Sequence, residues 1–448
     1  MADFSPFRFA DEQAFRAALS LHAPALPYEE DVSILAQPLA HDGATLANRL
    51  VVHPMEGADG TADGSPDELT FRRYHRFAHG GAALLWYEAT AVVPEGRANP
   101  RQLYLHDGNV DAFRRLLDES RAIAAAQGRT FYAVLQLTHS GRQSFPSAAG
   151  PDPIIAYDNP VLDRRPGRVV SDAELDALQE KYIHAAQLAA DIGFDAVDVK
   201  ACHGYLIQDL LTARERPGKY GGSFDNRVRF IVETLDGINA KVGKRIGLAS
   251  RYGVWDSIPG GWGIDEKDYH KADFSEPIAL ANMMHDRGVT LFDVTCGNPY
   301  FNPHVNRPFD RGFYTPPEHP LEGAQKLLQA AQAIQKALPE ATVIATGLSW
   351  LRQYGAGIAA GMVRDGWCKL AGFGRQAFAY PDFAADICSG RGMDPDQCCI
   401  ACGNCTQIMR DGGRSGCMVR DKDVYMPIFR AGRDGKPPVK MDAVSEHI

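Results

Sequence analysis

Between residues 46 and 371, short apolar runs alternate with longer amphipathic stretches, and the alternation recurs eight times. The candidate strands are 46–52, 82–88, 131–137, 196–199, 246–250, 291–294, 342–345 and 367–371. Between them apolar residues return every three or four positions. The clearest such stretch opens at Ser171, where Leu175, Leu178, Tyr182, Ala185, Ala189 and Ile192 share one helical face and Ser171-Asp-Ala-Glu174 forms a capping box. Eight strand–helix units in succession predict a parallel barrel, although an open doubly wound sheet has the same local rhythm. The positions of the polar residues separate the two. A barrel gathers its chemistry at the C-terminal ends of the strands, and polar groups fall there repeatedly: His53-Pro-Met-Glu56, Glu88-Ala-Thr90, Gln136-Leu-Thr-His139, Lys200-Ala-Cys-His203-Gly-Tyr205, Cys296-Gly-Asn298, Thr346-Gly347 and Gly372-Phe-Gly374-Arg375. The expected fold is therefore an α/β chain, a TIM (β/α)8 barrel over residues 1–390 with an N-terminal extension, followed by a cysteine-rich segment over 391–448. Glycines with a basic residue after the seventh and eighth strands suit a phosphate site, because backbone N–H groups must approach the anion closely.

That segment carries Cys399, Cys402, Cys405 and Cys417 within nineteen residues, with Cys398 beside the first as an alternative ligand. Such density of thiols suits an iron–sulfur cluster or a tetrahedral zinc. A disulfide staple belongs to small secreted domains, and this chain has 448 residues and nine cysteines, an odd number. A net charge of -9 argues against nucleic acid and against a polybasic membrane patch. No apolar run approaches the roughly 20 residues that span a bilayer, and the first residues lack the pattern of a secretory leader, so a cytoplasmic protein is expected. Gly355-Ala-Gly357-Ile-Ala-Ala-Gly361 mimics a dinucleotide fingerprint but has one residue too many and follows a helical pattern. Its small residues are expected to let a helix pack closely.

Five motifs occur in a familiar order: Asn48-Arg-Leu-Val-Val-His-Pro-Met55, Glu88-Ala-Thr-Ala-Val-Val-Pro-Glu-Gly-Arg97, Gln136-Leu-Thr-His-Ser-Gly-Arg142, His203-Gly-Tyr-Leu206 and Tyr220-Gly-Gly-Ser-Phe-Asp-Asn-Arg-Val-Arg-Phe230. With Gly374-Arg375 they resemble the Old Yellow Enzyme family of FMN flavoproteins over residues 45 to 390. The cysteines after the barrel resemble its iron–sulfur branch, which contains 2,4-dienoyl-CoA reductase and trimethylamine dehydrogenase. The resemblance implies FMN and a 4Fe-4S cluster held by Cys399, Cys402, Cys405 and Cys417. It places Pro54, Met55 and Ala89 against the isoalloxazine, Gln136 on its pyrimidine edge, Arg251 near its N1, and Gly347, Gly374 and Arg375 on the phosphate. Tyr205 matches the family's proton donor, a phenol that stays protonated at neutral pH because its reference pKa is about 10.

Two positions depart from the family. Lys200 and His203 stand where a His/His or His/Asn pair normally holds the substrate carbonyl, and a cation there still polarises an electrophile. The cysteine motif has two residues, Gly403 and Asn404, where the dienoyl-CoA reductase pattern has three. The polar loop 296–307 offers Tyr300 and His304 as additional acids. The implied activity is an ene-reductase that passes hydride from FMN to an α,β-unsaturated carbonyl compound or CoA thioester. NAD(P)H or an electron-carrier protein is the expected partner, and a homo-oligomer is left open. Two alternatives stand beside it: an amine or related dehydrogenase passing electrons out through the cluster, and a zinc-stabilised, non-catalytic barrel.

Overall fold

The computed structural model describes residues 4–162 and 167–436; the end of the expected cysteine-rich segment, 437–448, lies outside the described residues. Eight parallel strands close into a barrel: β1 (Leu50–Val52), β2 (Leu84–Ala91), β3 (Tyr132–Thr138), β4 (Ala196–Val199), β5 (Gly247–Gly253), β6 (Val289–Thr295), β7 (Thr342–Ala345) and β8 (Leu370–Phe373). Each pairs with its sequence neighbour, and Ala371 of β8 faces Leu50 of β1 to close the ring. All eight expected strands exist.

The first is shorter than expected. Leu46, expected to open it, belongs instead to Ala44–Leu46, which pairs with Leu39–His41 in an antiparallel hairpin turning through Asp42 and Gly43 at φ 45° and 74°. Two consecutive positive φ angles make the tight turn whose twist suits a hairpin. Leu46 joins the barrel's inner apolar cluster with Val51, Trp86, Val134, Ala249 and Leu291. The hairpin thus closes the barrel's N-terminal end.

The expected helix forms over Asp172–Ile192, with the Ser171/Glu174 capping box in place and Gly193 ending it at φ 107°. Its buried residues include every member of the predicted stripe. The Gly355–Arg364 helix carries the misleading glycine run. A Cβ on Gly357 would lie 2.5 Å from Tyr28, and one on Gly361 would lie 2.9 Å from Pro27. These glycines let the N-terminal arm lie close against the helix, as the small residues were expected to do. No helix among the described residues is long and apolar enough to cross a membrane.

After β8 the cysteine segment folds back over the C-terminal mouth of the barrel. Asp421, at the start of the Lys422–Arg433 helix, receives Arg72 at 2.7 and 2.9 Å and Arg76 at 2.5 Å, both from the Glu68–His79 helix. The Ser415 backbone N–H donates to Gly57 O at 2.6 Å, in the loop after β1, while its hydroxyl donates to Cys405 O at 2.9 Å. Tyr425 is buried against Gly416, where an added Cβ would lie 2.1 Å from the ring. Gly416→Ala should therefore cost about 1–3 kcal/mol through overpacking and speed trypsin cleavage at Arg410 and Arg414. Unchanged melting temperature and unchanged cleavage would contradict this seat.

Candidate active site

Strand side chains alternate between the two faces of a sheet, so residues two positions beyond an inward apolar residue also point inward. Val134, Ala196, Ala249 and Leu291 lie in the inner cluster, and two positions on come Gln136, Asp198, Arg251 and Asp293. The barrel's inner layer changes from apolar to polar at one level. Asp198 accepts from Trp86 Nε1 at 3.0 Å, Gln136 Nε2 at 2.5 Å and the Arg251 backbone N–H at 2.8 Å. Burial nevertheless pushes its carboxyl up to about 7. Asp293 meets His53 Nδ1 at 3.0 Å, accepts from Thr346 Oγ1 at 2.7 Å and pairs with Arg251 Nε at 3.3 Å. Burial raises it too, but Arg251 and His53 outweigh burial and hold it below the usual carboxylate range.

Above this layer sit the residues expected to hold a flavin. Arg251 Nη1 donates to Pro54 O at 3.3 Å, so the arginine does reach the loop after β1. Gln136 spends an amide N–H on Asp198, which leaves its carbonyl oxygen for the imide N–H of a pyrimidine edge. Ala89 is buried, with its carbonyl accepting from Gln102 Nε2 at 2.9 Å. Gly347 has φ 108°, and a Cβ on Gly374 would lie 2.9 Å from Met55 Sδ. The Arg375 Nε is buried with no hydrogen-bond partner. Glycines that admit close backbone approach, beside an unpartnered guanidinium, match what the phosphate of FMN needs. The donor set fits the cofactor.

A second group converges on Tyr205. Its hydroxyl donates to Glu56 Oε1 at 3.2 Å and lies 3.0 Å from Tyr300 Oη. The Lys200 ammonium lies 3.6 Å from the same Glu56 oxygen and 3.9 Å above the Tyr205 ring. Burial, then Glu56 and Tyr300, push the Tyr205 phenol well above its ordinary value, so it stays protonated at neutral pH. Burial lowers Lys200, against the pull of Glu56. His203 sits at φ 67° beside Gly204 at φ 69°, a left-handed pair that costs about 1–3 kcal/mol at the non-glycine residue. Asn306 Nδ2 approaches His203 Nε2 at 2.9 Å; an amide N–H only donates, so Nε2 accepts and the ring proton lies on Nδ1. Burial, then Arg251 and Lys200, drive His203 well below 6.5, leaving it neutral.

Glu56 was visible in the sequence only as part of the polar run after the first strand; nothing there shows that Tyr205, 149 residues away, would bond to it. Of the two acids offered by the 296–307 loop, Tyr300 reaches the site. His304 instead binds Tyr314 Oη at 2.5 Å, and burial lowers it to about 4. Glu56 and Tyr300 line a cleft of about 810 Å3 that also exposes Phe145, Phe301, Met409 and Arg410, within the usual size of small-molecule sites. Met409 and Arg410 belong to the Asn404–Arg410 helix, which also carries Cys405.

Cys399, Cys402, Cys405 and Cys417 ring one small cavity together with Arg375 and Phe378. Cys398 is turned into the core. Backbone N–H groups of Ala401 and Arg420 point at the sulfurs of Cys399 and Cys417, at 3.4 and 3.3 Å. Gly403 takes φ 73°, the left-handed geometry that lets the shortened middle gap turn into the Asn404–Arg410 helix. Among the described residues no three His, Cys, Asp or Glu side chains gather as the ligands of a single ion.

The family model for the NADH:flavin oxidoreductase / NADH oxidase family matches residues 35–394. An NADPH dehydrogenase of Bacillus pumilus is 30% identical over 272 residues, covering 59% of this chain and 73% of that one. Two solved structures share the fold. A 2-naphthoyl-CoA reductase in complex with 2-naphthoyl-CoA has a TM-score of 0.71 at 21% identity, over 91% of this chain and 58% of that one. Histamine dehydrogenase from Rhizobium sp. 4-9 has a TM-score of 0.67 at 19% identity, over 87% of this chain and 53% of that one. The chain thus spans little more than half the length of these two proteins. Together with the flavin-type donor set at the barrel mouth, the family match shows that this chain belongs to the NADH:flavin oxidoreductase / NADH oxidase family and is a flavin-dependent oxidoreductase.

Proposed function

We propose that the protein is an FMN-dependent ene-reductase that reduces the alkene of an α,β-unsaturated carbonyl compound or CoA thioester. It would exchange electrons with NAD(P)H or, through a 4Fe-4S cluster, with a carrier protein. The observation that carries this reading is the buried Tyr205 phenol, held protonated and hydrogen-bonded to Glu56 and Tyr300, which both line the cleft. FMN, once bound, would supply hydride, and the cluster would pass electrons singly. Everything else falls to the chain. Lys200 and the Nδ1–H of His203 would hold the substrate's carbonyl oxygen as negative charge develops there. Tyr205 would give its proton to the α-carbon, and Glu56, whose side chain is 19% exposed to the cleft, would return one from solvent.

The cysteine cavity supports the cluster over zinc. One zinc ion draws four sulfurs to about 2.3 Å from a single point, whereas a cubane gives each thiolate its own iron and spaces them apart. Four cysteines lining a cavity suit the latter.

Because Glu56 can also accept the Tyr205 proton, the same pair can serve an oxidation, which favours the amine dehydrogenase as the second reading. Turnover with enones against turnover with secondary and tertiary amines separates them; reduction of the flavin by amines alone would end the ene-reductase reading. Tyr205→Phe should slow the alkene step by about 100- to 10,000-fold and leave flavin reduction by NAD(P)H intact. Glu56→Gln should slow the same step about tenfold or more, and the double variant should be no slower than Tyr205→Phe alone, since the two act as one relay. Additive losses would separate Glu56 from the proton path. Cys402→Ala should abolish cluster absorbance, and an intact iron spectrum would show that the ligand set is wrong.

A further inference from the structure

A second cavity, of about 320 Å3, opens between the 303–313 loop and the Asn404–Arg410 helix. Arg307, Arg311 and Arg410 line it, and no carboxylate does among the described residues. The three arginines come from two separate segments, so their convergence is a product of the fold. Aromatic faces hold two of them: Arg410 lies 3.7 Å over the Phe313 ring and Arg307 lies 5.8 Å over Phe309. Arginines seated over aromatic rings are partly pre-organised to offer their N–H groups to phosphate oxygens. The Arg307 Nε is buried without a hydrogen-bond partner, although its Nη2 reaches Thr406 Oγ1 at 3.4 Å. Arg307 thus keeps one donor unspent at the inner end of the cavity, where Cys402 also lines the wall, while Arg311 and Arg410 line the rest.

Arg410 also lines the substrate cleft that holds Glu56 and Tyr300. The two cavities therefore share a wall. A ligand whose reacting end lies in the cleft can extend past Arg410 and place an anionic tail among the arginines. We propose that this cavity is a binding subsite for the diphosphate of a nucleotide-tailed ligand whose other end reacts in the cleft. NAD(P)H and a CoA thioester share that chemistry, and the inference rests on the ene-reductase reading only for the choice between them.

The test is calorimetric titration of the holoenzyme with ADP, comparing wild type with Arg311→Gln and Arg311→Lys. Arg311 is exposed and takes no part in the proton relay, so its replacement should leave the fold, and the single-turnover reduction of a small, phosphate-free enone by the pre-reduced enzyme, unchanged. ADP should bind the wild type, Arg311→Gln should weaken it about tenfold or more, and Arg311→Lys should recover part of the loss. Steady-state arms then assign the source. A raised KM for NADPH alone gives the subsite to the reductant, and a raised KM for a CoA thioester alone gives it to the substrate. No ADP binding at millimolar concentration, or equal affinity in wild type and Arg311→Gln, would overturn the proposal. Arginine-dependent ADP binding in an enzyme that reduces no enone would leave the subsite standing and remove the ene-reductase reading instead.

Discussion

The active mouth of this barrel depends on two carboxylates buried inside it, Asp198 and Asp293, joined through Arg251. The arginine gives its backbone N–H to Asp198 and its guanidinium to Asp293, and so ties β4, β5 and β6 together at one level. Trp86, Gln136, His53 and Thr346 supply the remaining donors from β2, β3 and the ends of β1 and β7. Buried charge is tolerated only when paired and hydrogen-bonded; removing one partner of such a pair costs about 3–5 kcal/mol. Pairing also fixes direction. Gln136 can turn its carbonyl toward a pyrimidine edge because Asp198 holds its amide nitrogen, and Pro54 is reached by Arg251 because Asp293 holds the guanidinium.

A second buried network fixes the loop after β1, which carries Pro54, Met55 and Glu56. Arg73 is clamped between Asp59 and Glu88, and Glu88 accepts the Gly57 N–H at 2.7 Å. One cation between two acids leaves an excess of negative charge, and burial pushes Glu88 up to about 8. The cysteine segment then rests on this same loop through Ser415 and Gly57. Arg375 lines the cysteine cavity while its neighbour Gly374 packs on Met55. Flavin-type residues, the Glu56 partner of Tyr205 and the cysteine cavity thus share the loop between β1 and the Glu68–His79 helix.

Much of this was legible in the chain because a parallel barrel buries both faces of its strands. Short apolar runs located all eight strands, repetition at three to four located the helix from Ser171, and polar residues after the strands located the mouth. Strand ends were less legible: the first strand was expected from residue 46, but Leu46 belongs to the hairpin turned by Asp42-Gly43 and the barrel strand starts only at Leu50. What pairing across space decides was not legible. The bond from Tyr205 to Glu56, the clamp on His203 by Asn306, and the diversion of His304 to Tyr314 each join residues from separate segments or turns. Cys398 stood in the sequence as an alternative to Cys399, and only packing turns it into the core. The non-catalytic zinc barrel falls with the family match.

The central claim is that a flavin on the barrel and an iron–sulfur cluster in the cysteine cavity form one redox unit. The measurement that tests it most directly is the absorbance spectrum of anaerobically purified protein, taken with quantification of flavin, iron, sulfide and zinc. The account predicts FMN together with about four irons and four sulfides per chain, and a broad visible band that bleaches with the flavin on reduction. Protein that carries zinc without iron, or no flavin, would contradict it.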